Sequence, residues 1–117
     1  MSCISKFEDI EVWKRSRKFT NSIFIAFSHV KNYSFRDQIE RAAVSISNNI
    51  AEGYERSGNK EFVKFLYYAK GSAAEVRSML YNARDLGLIT NEEFEKLSSE
   101  SVIIAKQLSK FITTIKI

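Results

Sequence analysis

A single run of residues constrains this chain more than any other feature: Phe62, Leu66, Ala69, Ala73, Val76, Leu80 and Ala83 follow one another in alternating steps of four and three. Side chains three and four residues apart share one face of an α-helix, whereas a strand would need steps of two. The run predicts a long helix over 60–86 with one continuous seam, and that seam needs other helices packed against it. Three further segments supply them. Residues 91–115 carry Phe94, Leu97, Ser101, Ile104, Leu108, Phe111 and Ile115 in the same steps, and residues 35–56 carry Phe35, Ile39, Ala42, Ile46 and Ile50. The first segment, 9–31, has a more polar seam of Trp13, Ser16, Thr20, Ile23 or Phe24, Phe27 and Val30.

The punctuation agrees with four helices. Thr90 followed by Glu93 has the spacing of a capping box, Asn59 stands where an N-cap is needed, and Gly87 lies just past the last apolar step of the third segment. Lys31-Asn32 marks the end of the first helix. The second begins at Ser34, with Asp37 in its first turn, and ends near Gly53 or at Ser57-Gly58. The 117 residues contain no proline, which suits long helices and short loops. Short connections place consecutive helices side by side, so the expected fold is all-α: one domain over 1–117, an antiparallel up-down-up-down four-helix bundle.

Most chemical functions lack the residues they need. The one histidine, His29, has no Glu-x-x-His partner for a di-iron site, so neither metal nor other cofactor is expected. Cys3, the only cysteine, cannot form an intrachain disulfide and has no nearby histidine to activate it. The four glycines form no phosphate-cradling loop. Lys6, Glu8 and Asp9 interrupt any signal-like stretch, and the uncharged run 19–30 is too short and polar for a membrane span, so a cytoplasmic protein with no membrane contact is expected. The net charge of +4 is unevenly spread. Residues 14–84 hold 13 basic and six acidic side chains, a net of +7, and the two ends together carry −3. An electropositive middle points to a polyanionic partner.

Three stretches resemble the 23S rRNA intervening-sequence protein family, also called the four helix bundle protein family. They are Phe7-Glu8-Asp9-Ile10-Glu11-Val12-Trp13-Lys14; then Gln38-Ile39-Glu40-Arg41-Ala42-Ala43-Val44-Ser45-Ile46 with Asn49-Ile50-Ala51-Glu52-Gly53; and Lys60-Glu61-Phe62 with Phe65-Leu66, Ala69, Gly71-Ser72 and Glu75. One position departs from the pattern, since Ser47 stands where the family usually has proline. The resemblance implies a bacterial four-helix bundle that assembles into a ring-like homopentamer, with a basic surface and no established enzyme activity. The accessory variability proteins of diversity-generating retroelements look like relatives, and they imply nucleic acid and a protein partner such as a reverse transcriptase.

Several surfaces are candidates for such contacts. Lys14, Arg15 and Lys18 project away from the first seam, with Arg17 at its border, and either contact phosphates or form an ordinary solvated face. Lys70, Arg77 and Arg84 recur every seven residues along the third helix, where they serve either the same purpose or internal pairing. Gln38, Arg41, Ser45, Asn48 and Glu52 make a polar stripe on the second helix that suits a subunit interface, and Tyr67, Ala74 and Tyr81 form an apolar line outside the third seam that suits one too. Gly71 either admits another backbone or is tolerated. The leading expectation is a non-enzymatic homo-oligomeric adaptor that binds RNA or DNA without sequence specificity. The alternative is a protein-binding scaffold. An enzyme would have to draw on Arg41 with Glu52, or on His29, across a subunit interface.

Overall fold

A computed structural model describes residues 4–117; Cys3 lies outside the described residues. A 3-10 turn at Phe7–Asp9 leads into α1 (Glu11–Ala26), and α2 (Tyr33–Glu55), α3 (Asn59–Asp85) and α4 (Asn91–Thr114) follow. There is no strand among the described residues. α1 packs on α2, α2 on α3, α3 on α4, and α4 returns to α1, while the backbones of the diagonal pairs stay farther apart. The result is a four-helix bundle with principal extents of 44 × 22 × 19 Å.

Each boundary has a local cause. α1 is shorter than the expected 9–31. It starts only after Ile10, whose backbone is extended, and stops at Ala26. Phe27 and Val30 are both buried, yet they belong to a turn in which the Val30 N–H donates to the Phe27 carbonyl, and a single turn reproduces helical spacing. Asn32 caps the next helix rather than ending the first: its side chain accepts from the Phe35 N–H at 3.2 Å, so α2 begins at Tyr33 instead of residue 35. The N-cap of α3 is Gly58, and Asn59 instead donates to the Lys116 carbonyl at 2.8 Å. The capping box of α4 is complete, with the Glu93 N–H on Thr90 Oγ1 at 3.0 Å and the Thr90 N–H on Glu93 Oε1 at 2.9 Å. After α3, Gly87 adopts a φ of 71°, which lets the Leu88 N–H reach the Ala83 carbonyl and the Gly87 N–H reach that of Arg84. This double bond pattern closes helices through a left-handed residue.

The core runs the length of the bundle. Its fully buried large side chains include Phe19, Ile23, Phe27, Ile39, Ile46, Ile50, Leu66, Leu80, Ile104 and Leu108. The seam of α1 is rotated from the expected one: Val12 and Phe19 are buried, whereas Trp13 is half-buried and Phe24 is 42% exposed. The polar seam residues are retained because each hydroxyl finds a carbonyl. Ser16 donates to Val12, Ser101 to Ser98, and Thr20 lies 2.9 and 3.1 Å from the carbonyls of Ser16 and Ala43. No buried side-chain polar atom among the described residues is without a partner, so the polarity of this seam carries little desolvation cost.

α2 and α3 approach closely near their shared turn. A Cβ built on Gly53 would lie 2.5 Å from the Cβ of Phe65, an atom fixed to its backbone. α2 continues without a break through Ser47, the position where the resemblance leads one to expect proline.

Candidate nucleic-acid interface

The outer face of α1 combines cations with an aromatic ring. Trp13 packs edge-on against Phe7, with ring centroids 5.2 Å apart, and the guanidinium of Arg17 lies 5.7 Å from the Trp13 ring centroid. Residues four apart on a helix meet in this way, and a guanidinium over an indole is an attractive pairing. Lys14, Lys18 and Asn21 stand beside them, exposed, around a surface depression of about 520 Å³. Lys14 is paired with Glu11 at 3.2 Å, but both side chains are largely exposed and such pairs are weak.

Arg15 lies on the α4 side of the same two lysines, in a depression with Lys14, Lys18, Glu100 and Gln107. Its guanidinium turns to α4 and grips Glu100 with two hydrogen bonds, from Nε to Oε2 and from Nη2 to Oε1, the latter at 3.1 Å. That bond, with the nearby negative charge, raises the Arg15 pKa further above its ordinary value. Two parallel N–H bonds to one carboxylate make Arg15 a clasp between α1 and α4; it still lines one depression with Lys14 and Lys18, while Arg17 joins those two lysines around Trp13. Trp13 and Arg17 at a spacing of four could have been read from the sequence. The partner of Arg15 is 85 residues away, and nothing local announces it.

The expected row on α3 is divided. Lys70 and Arg77 border a groove of about 330 Å³ between α3 and α4, with Lys106 on the opposite rim. Arg84 is drawn aside: its guanidinium lies 4.3 Å from the Phe94 ring centroid and 5.3 Å from that of Tyr81, and 3.6 Å from Asp85. The depressions around the two cationic sets share no residue, so the sets form separate patches, one on α1 and one between α3 and α4. Lys106 escaped the sequence reading because it belongs to no repeating row on its own helix.

Gln38, Arg41, Asn48 and Glu52 are exposed along α2. Arg41 lies 3.9 Å from Asp37 and Glu52 is 2.9 Å from Arg56, so each charged member engages its own helix. Ser45 instead donates to Ser72 at 2.6 Å and ties α2 to α3. Tyr67 is 55% exposed; Tyr81 is 48% exposed and packs edge-on against Phe94, with centroids 4.9 Å apart. His29 is exposed in the turn after α1. Among the described residues no group of three His, Cys, Asp or Glu side chains could hold a metal ion, and no helix is long and apolar enough to cross a membrane.

Comparison with known proteins converges on one family. The family model described as 23S rRNA-intervening sequence protein matches residues 8–110. The crystal structure of a protein with unknown function from the S23 ribosomal protein family of Bacteroides thetaiotaomicron is similar in fold, with a TM-score of 0.82 and 27% identity over 86% of this chain and 97% of that one. No curated protein matches the chain.

Proposed function

Since the chain belongs to the 23S rRNA-intervening sequence protein family, we propose that it is a non-enzymatic, homo-oligomeric adaptor that binds RNA or DNA through phosphates without reading sequence. The observation that carries this reading is the α1 face, where exposed Lys14, Arg17 and Lys18 surround the half-buried ring of Trp13. Cations that reach phosphates supply sequence-independent, salt-sensitive affinity, and an aromatic face beside them suits an unpaired base.

The same reading takes the bundle as antiparallel, up-down-up-down. Its support is the pairing of opposite ends across each connection: Phe27 stacks on Phe35, Gly53 approaches Phe65, and Tyr81 packs on Phe94. Copies are proposed to assemble as a homopentamer through the exposed α2 stripe of Gln38, Arg41, Asn48 and Glu52 together with Tyr67, while Tyr81 serves largely its own chain. A ring of weak patches gains avidity on a long polyanion. A cytoplasmic location and a protein partner such as a reverse transcriptase belong to this reading. The second reading, a protein scaffold with incidental charge, draws on the pairing of Arg15 with Glu100 and of Lys14 with Glu11.

Fluorescence anisotropy with a labelled single strand tests the proposal. Replacing Lys14, Arg17 and Lys18 together with glutamine should weaken binding to any sequence by about tenfold or more, in keeping with the loss of up to three phosphate contacts. Equal binding by the variant would remove the α1 face from the function.

A further inference from the structure

The groove between α3 and α4 is a second cationic surface of different character. Lys70 and Arg77 on one rim and Lys106 on the other have no ion pair or hydrogen bond among the described residues, and no acidic side chain lines the groove. Between the rims the groove is lined by the small or short side chains Ala73, Ala74, Ser101, Val102, Ala105 and Ser109. Small side chains there let a third helix settle between two that are themselves about 8–10 Å apart. No aromatic ring lines the groove, so it lacks the stacking platform of the α1 face. Lys70 and Arg77 are one heptad apart, about 10.5 Å along the helix axis.

We propose that this groove docks an acidic amphipathic helix of a partner protein. The partner's apolar stripe lies on the alanine and valine side chains between the rims. Two of its carboxylates, seven residues apart on one flank, meet Lys70 and Arg77, and a third on the other flank meets Lys106. Opposite charges at heptad intervals beside a small-residue seam set the register and direction of paired helices, and an apolar helix face lying in a groove is a recurrent mode of recognition. An extended acidic segment, which rises about 3.3 Å per residue, has no reason to match a two-turn period. The lining residues span positions 70–77 and 101–109, about 12 Å of helix axis, so two to three turns of the partner helix lie in the groove and its ends extend along the rest of the 44 Å bundle.

The probe is a synthetic helical peptide of about 20 residues with a leucine and alanine stripe flanked by glutamate at each heptad. A matched peptide with lysine for glutamate and a single-stranded oligonucleotide serve as comparisons. The acidic peptide should bind the wild-type protein, and Lys70→Glu with Arg77→Glu should weaken it by about tenfold or more while admitting the lysine peptide, because like charges facing each other repel strongly. Lys106→Glu should act in the same direction. Circular dichroism and light scattering accompany each variant. Three results would overturn the proposal: an acidic peptide that binds no better than the lysine peptide, charge reversal that abolishes oligonucleotide binding and spares the peptide, or charge reversal that dissociates the oligomer, which would make the occupant a second copy of the chain. The α1 variant with glutamine at 14, 17 and 18 should leave peptide binding unchanged.

Discussion

Gly53 and Gly71 are both helical glycines, and their surroundings give them opposite meanings. At Gly53 an added methyl group meets Phe65 Cβ, whereas at Gly71 it meets nothing within 4 Å. Gly53→Ala should therefore destabilise the fold by about 1–3 kcal/mol through overpacking. Gly71→Ala, on an exposed stretch of α3, should stabilise it by about 0.5–1 kcal/mol by lowering the entropy of the unfolded chain. Denaturant titration of both variants checks the pair. Two destabilisations of equal size would mean that Gly71 also lies against a backbone, one supplied by another copy. At this scale the sequence was least legible. The close approach at Gly53 and the clasp of Arg15 on Glu100 join segments remote in the chain, and no spacing rule reaches that far.

At the scale of elements, the steps of four and three located α3 and α4 within a residue or two, because a buried seam must recur at helical period. α1 was read less well. Its seam contains Ser16 and Thr20, satisfied by carbonyls, so polarity no longer separates inside from outside: Trp13 passed for core, and Phe24 stood as an alternative to Ile23, which is the buried one. The seam on α3 is testable directly. Leu66→Ala or Leu80→Ala, both at fully buried positions, should cost about 2–5 kcal/mol in lost burial plus a cavity, and an exposed control such as Ser78→Ala should cost far less. Thr90→Ala removes one half of the capping box at α4 and should cost about 1 kcal/mol. Thermal and chemical denaturation report each of these.

At the scale of the whole molecule, the cations divide between two faces, one on α1 carrying Trp13 and the other between α3 and α4, lined by small side chains. Assembly would array both faces around a ring. Light scattering at micromolar concentration should return an oligomeric mass, and Tyr67→Glu, at a ring more than half exposed, should lower it. A monomer mass for the wild type would remove the ring. If the protein holds polyanions by their phosphates, its affinity for a long single strand must depend on salt. Log affinity should fall linearly with log salt, with a slope of about −2 for each protomer whose three α1 cations engage, and a short strand should bind far more weakly. No binding even near about 50 mM salt, or an affinity indifferent to salt, would contradict that mode of binding.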